Sequence, residues 1–171
     1  LGLGQEFDHV HHMAGDILMD FKTELHASVL IIDFAGQINT VVFHNQREGY
    51  GVKEKAAFEE VVRQFQTGVT AGNMAAVGAA CTESARLNQR ILYKPHLETL
   101  ITLCRRHGGY GVVGGHSGTV IGILYNPERF DYKGFIIDFI NQVPEQDYEA
   151  LYRRRVIPGG ITVQQEDAQR R

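Results

Sequence analysis

Apolar residues along this chain fall into runs of two different periods. Ser28 to Phe34 is a dense apolar run of the length expected for a buried strand. Ala35-Gly36-Gln37 turns it, and Asn39 to His44 reads as a second strand. Ile17 to Phe21 forms a shorter candidate strand upstream, and Gly49-Tyr50-Gly51 breaks the pattern. The period then changes. From Lys53 to Thr67, Ala57, Val61 and Phe65 with their i+1 neighbours make one apolar stripe with charges opposite, which predicts an amphipathic helix. Asn73 is placed to cap a second, Ala-rich helix running to about Ile91. Pro95 suits the first turn of a third, which ends near Arg105-Arg106-His107 before Gly108-Gly109. Cations there also complement the helix dipole.

Two β-branched runs follow, Tyr110 to Val113 and Val120 to Tyr125, around a centre of small residues from Gly114 to Thr119. Lys133 to Gln142 predicts a fourth helix, stopped near Pro144. Tyr148 to Val156 and Ile161 to Gln165 flank Pro158-Gly159-Gly160, a hairpin signal. The polar end, 166–171, reads as a fraying tail, and residues 1–165 read as one domain with no linker or repeat. Strands, helices, strands, helix, strands is not a strict βαβα alternation. It predicts an α+β two-layer sandwich, a mostly antiparallel sheet with helices on one face.

Composition narrows the function. At 171 residues the chain can bury a core without staples. A net charge of -3 argues against a nucleic-acid partner, whose footprint is basic. No apolar run approaches a membrane span. The two cysteines, Cys81 and Cys104, lack metal-ligand spacing and read as small buried hydrophobes of a reduced, cytoplasmic protein.

The chemistry concentrates in Gly114, Gly115, His116, Ser117, Gly118 and Thr119. Glycine lets a backbone approach a ligand closely, and successive N–H groups in such a loop can cradle an anion. Ser117, Thr119 and His116 add donors suited to phosphate or carboxylate. A tight hairpin, with glycines serving only the turn, is the structural alternative. No G-x-x-x-x-G-K-[ST] or G-x-G-x-x-G accompanies the loop. Asp33 ends a buried strand, with Thr40 shortly after, and could orient a ligand amine or hydroxyl; equally, it could accept hydrogen bonds from its own turn. His9, His11 and His12 lack a Glu-x-x-His or Cys-x-x-Cys partner, and no metal site is expected. Arg153-Arg154-Arg155 must alternate between faces of its strand and reads as solvated.

Leu97 to Leu103 followed by Gly111 to Tyr125, above all His-Ser-Gly-Thr-Val-Ile-Gly from His116 to Gly122, resembles the C-terminal region of the GHMP small-molecule kinases. The form is most similar to their L-threonine kinase branch, which serves cobalamin biosynthesis. Val29 to Asn45 resembles the strand-turn-strand that opens that domain, and Phe7-Asp8-His9 the strand before it. The matches run from about residue 7 to residue 125. The resemblance implies a ferredoxin-like α+β domain that completes an ATP-dependent kinase, with ATP and Mg2+ serving the whole enzyme and a small-molecule hydroxyl as acceptor. It implies that Gly114 to Thr119 lie near the acceptor and the transferring phosphoryl group, and that Asp33 and Thr40 face the acceptor pocket. The family's Pro-x-x-x-Gly-Leu-x-Ser-Ser-Ala nucleotide loop and its Glu-Pro-Thr-Asp segment do not occur in this sequence, so no catalytic residue is carried over. The chain therefore reads as the acceptor-binding half of such a kinase, partnered by a nucleotide-binding half and not active alone. A non-catalytic amino-acid or anion-binding module and a homodimer formed through an exposed apolar patch are the alternatives.

Overall fold

A computed structural model describes residues 25–36, 38, 49–115 and 118–156. The strands expected at Ile17–Phe21, Asn39–His44 and Ile161–Gln165, the histidines His9, His11 and His12, and the tail 166–171 lie outside the described residues.

The described elements run β1 (Ser28–Phe34), α1 (Val52–Thr70), α2 (Met74–Leu87), α3 (Leu97–Arg106), β2 (Gly111–Gly114), β3 (Ile121–Tyr125), α4 (Tyr132–Gln142) and β4 (Tyr148–Arg155). One-turn 3-10 segments, Asn88–Arg90 and Glu145–Asp147, follow α2 and precede β4. The four strands form one sheet in the order β2-β3-β1-β4, every neighbouring pair antiparallel. That order, with helices between β1 and β2 and between β3 and β4, is the ferredoxin-like split β-α-β arrangement. The α+β class and antiparallel sheet expected from the sequence are observed, but helix residues pack against both faces of the sheet rather than one.

Local chemistry explains the boundaries. Gly72 leaves α1 at φ 63, in the left-handed region that glycine enters freely. Asn73 then caps α2 by accepting the Ala76 amide at 3.1 Å. Pro95 falls just before the N-cap of α3, His96, rather than inside its first turn. Asp131 caps α4 by accepting the Gly134 amide at 2.9 Å. Its neighbour Asp138 accepts from Arg106 at 2.8 Å and lies 3.0 Å from His107, so the cationic end of α3 is tied to α4.

Alternation sets the two faces of β1. Leu30, Ile32 and Phe34 point into the main core with Ile121, Ile123 and Tyr125 of β3, and α3 and α4 cover them with Leu97, Leu100, Leu103, Phe135 and Phe139. Each such side chain contributes about 1.5–3 kcal/mol on leaving water. Val29, Val113 and Leu124 face the other way and join Val61, Val69 and Val77 of α1 and α2 in a second cluster.

β2 is an edge strand, and α2 closes it. Gly78 of α2 lies against the Tyr110–Gly111 backbone, so that a Cβ on Gly78 would overlap the Tyr110 carbonyl and a Cβ on Gly111 would overlap the Gly78 carbonyl. Thr82, one turn on, accepts the Val112 amide at 2.9 Å through Oγ1 while donating to the Gly78 carbonyl at 2.8 Å. An outward edge amide that would otherwise invite another strand is thereby satisfied. This closure holds the start of β2 against α2.

Candidate functional site

β2 and β3 are in register from Gly111 opposite Leu124 to Gly114 opposite Ile121. The glycine loop therefore emerges at the end of a hairpin whose strands are buried in the sheet. The Gly115 amide donates to the Val120 carbonyl at 3.0 Å, which closes the base of the loop. That amide is spent on the turn and does not point outward. Gly118 differs: a Cβ there would meet nothing within 4 Å. Thr119 donates through Oγ1 to Asp33 Oδ1 at 3.1 Å. The structure thus joins two site candidates that stand 86 residues apart in sequence. His116, Ser117 and Thr40 lie outside the described residues.

Beside the loop is a cleft of about 320 Å³. Gly118, Thr119 and Ile121 form one wall, Phe34 to Gly36 and Ile38 at the end of β1 another, and Leu92 to His96, the connection between α2 and α3, the third. Asp33 stands next to this wall and reaches the site through Thr119.

The third wall carries groups that sequence reasoning missed. Lys94 is 7% exposed, yet its Nζ reaches under the loop and donates to the Gly118 carbonyl. Its stem passes Gly114, where an added Cβ would stand 3.6 Å from Lys94 Cε. Gln89 holds the Lys94 backbone from both sides: its Oε1 accepts the Lys94 amide at 2.7 Å and its Nε2 donates to the Lys94 carbonyl at 3.0 Å. Burial lowers the Lys94 ammonium to about 8, since desolvation disfavours the charged form. At neutral pH it still carries its proton. His96 stacks on Phe34 with ring centroids 5.4 Å apart, and its Nε2 lies 2.8 Å from Asp147 Oδ2. The site's framework thus draws on β1, the α2–α3 connection, the glycine loop and the segment before β4.

Outside the cleft, the two cysteines and the arginine run have defined surroundings. Cys81 and Cys104 are buried, and desolvation pushes both thiols up to about 12, so neither is a thiolate nucleophile. Arg153 lies over the Tyr132 ring at 4.6 Å on the helix-covered side, while Arg154 lies over Tyr152, as strand alternation requires. Among the described residues no group of three or more His, Cys, Asp or Glu could hold a metal ion, and no helix is long and apolar enough to cross a membrane.

The family model described as GHMP kinases C terminal matches residues 55–132, which span α1 to the start of α4 and include Lys94 and the glycine loop. An L-threonine kinase of Citrobacter freundii is 25% identical over 142 residues, 80% of this chain and 48% of that protein. An L-threonine kinase of Salmonella typhimurium is 22% identical over 137 residues, 80% of this chain and 46% of that protein. The chain spans about half the length of the curated relatives it matches. Among solved structures, L. major mevalonate kinase in complex with R-mevalonate shares the fold, with a TM-score of 0.65 and 15% identity over 84% of this chain and 46% of that one. The matched segment, set within this ferredoxin-like sheet, makes the chain similar to the C-terminal domains of GHMP kinases over residues 55–132.

Proposed function

We propose that this chain is the acceptor-side domain of an ATP-dependent kinase that phosphorylates a hydroxyl of a small molecule, L-threonine being the first candidate. The observation that carries the reading is the cleft of about 320 Å³ walled by the glycine loop, with Gly118 open to it and a lysine buried beneath. The L-threonine kinases to which the chain is similar support the acceptor.

Phosphoryl transfer depends mostly on positioning and electrostatic stabilisation. This chain's part is to position. Gly118 lets an acceptor approach the backbone without a side chain in the way. The Thr119–Asp33 bond ties Thr119, at the end of the loop, to β1. Phe34, Leu92 and Ile121 exclude water from one side of the cleft, which strengthens polar contacts made within it. ATP and Mg2+ belong to the reaction through a nucleotide-binding half outside this chain. The described residues offer no acidic cluster for the metal.

The test is to supply the full encoded protein with γ-labelled ATP, Mg2+ and L-threonine, and to follow label into an O-phosphorylated amino acid. Labelled product that requires L-threonine supports the reading. L-threonine binding without nucleotide-dependent turnover would assign the chain instead to a non-catalytic amino-acid-binding module.

A further inference from the structure

Buried charges in proteins are ordinarily paired, because an isolated ion taken from water carries a large desolvation cost. Lys94 breaks this rule. Its bond to the Gly118 carbonyl is its one polar side-chain contact among the described residues, and no carboxylate of those residues reaches it. The nearby acids are engaged elsewhere, Asp33 by Thr119 and Asp147 by His96. An ammonium has three N–H donors, and Gly118 takes one. The others sit at the edge of an open cleft beside a glycine with empty space where its Cβ would be. The contrast with Arg86, Arg90 and Arg106 is direct, for each of those exposed cations has its carboxylate.

We propose that Lys94 receives the carboxylate of the acceptor, so that the substrate of this site is a small hydroxy acid or hydroxy amino acid rather than a neutral alcohol or sugar. This rests on the cleft being the acceptor site. The ligand supplies the anion that the described residues do not, and the same ammonium holds Gly118 while it binds. Binding then requires the protonated lysine. Affinity falls as pH rises above about 8, and the bound anion raises the lysine's own value in the complex because it favours the charged form. The other titratable groups around the cleft are His96 with Asp147, Asp33 with Thr119, and the exposed Tyr93.

The experiment is calorimetric titration of the full encoded protein and its Lys94→Met and Lys94→Arg variants with L-threonine, with L-threoninol (which lacks the carboxylate) and with inorganic phosphate. Lys94→Met is expected to weaken L-threonine binding about 10- to 100-fold, the worth of one charge-assisted hydrogen bond. L-threoninol should bind the wild type as weakly and ignore the substitution, and Lys94→Arg should restore part of the loss. The melting temperature of Lys94→Met should hold or rise, because an uncompensated buried charge is gone. A merely structural lysine would instead lower it and leave the carboxylate dependence intact. The proposal is overturned if the wild type does not bind L-threonine, if Lys94→Met binds it unchanged, or if only phosphate binding depends on Lys94. Lys94-dependent L-threonine binding without ATP turnover would sink the kinase reading and leave this one standing. Turnover with an unchanged KM in Lys94→Met would do the reverse.

Discussion

The two ends of β2 both depend on glycine, for opposite reasons. At its start, Gly111 faces Gly78 of α2; the Gly78 carbonyl occupies the space a Gly111 side chain would fill, and the Tyr110 carbonyl occupies that of Gly78. Past its end, a Cβ added to Gly118 would meet nothing within 4 Å. The first pair is a packing device: it lets a helix lie against a sheet edge closely enough for Thr82 to accept the Val112 amide. The second is a vacancy beside a cleft. Glycine in a sequence announces a missing side chain, and what fills the gap decides whether fold or ligand requires it.

Substitutions should separate the two ends, and the largest effect belongs to the packed one. Gly111→Ala drives a methyl into the Gly78 carbonyl and should cost at least about 3 kcal/mol in urea unfolding; a cost below about 1 kcal/mol would mean that α2 moves aside easily. Next is the buried lysine. Its folded value, about 8, lies below its ordinary 10.5, so the unfolded chain holds more protons between those values. Stability should therefore rise with pH from about 8 to about 10.5, by about 3 kcal/mol, and be lost again as pH falls. Lys94→Met should remove that slope, which chemical denaturation across the window would reveal. Thr82→Val leaves the Val112 amide without its acceptor and should cost about 2 kcal/mol. If its unfolding midpoint matches the wild type, the edge closure contributes nothing. Smallest is Gly118→Ala, expected within about 0.5 kcal/mol of wild type because the new methyl meets no atom and the backbone is not left-handed there. Under the acceptor-site reading, the same variant should nonetheless raise KM for the acceptor. A large stability loss there would show the loop to be packed rather than open.

Most of the fold was legible because it is written in local periodicity. The dense run from Ser28 to Phe34, the amphipathic stripe around Val61 and Phe65, and the Asn73 cap each signal their element within a few residues, and the observed boundaries lie close to the expected ones. The glycine loop was legible as a motif. Lys94 was not, since one lysine between two helices has no partner at a fixed spacing, and its burial arises only when the α2–α3 connection folds under a loop 24 residues on. Pro95 marked that connection as a helix entry and said nothing of the neighbouring side chain. The Thr119–Asp33 bond was half visible: both residues stood out, and only the sheet register brings them together. The role of Gly78 is likewise invisible in an Ala-rich helix, where it resembles a weak helix former and not a contact point.

The most direct test of the acceptor site is a crystal structure of the full encoded protein soaked with L-threonine and a non-hydrolysable ATP analogue. The account predicts an amino acid in the cleft between Phe34 and Gly118, its carboxylate within hydrogen-bond distance of Lys94 Nζ and its hydroxyl turned toward the nucleotide. An amino acid bound elsewhere, with the cleft empty and Lys94 still held by Gly118 alone, would contradict it.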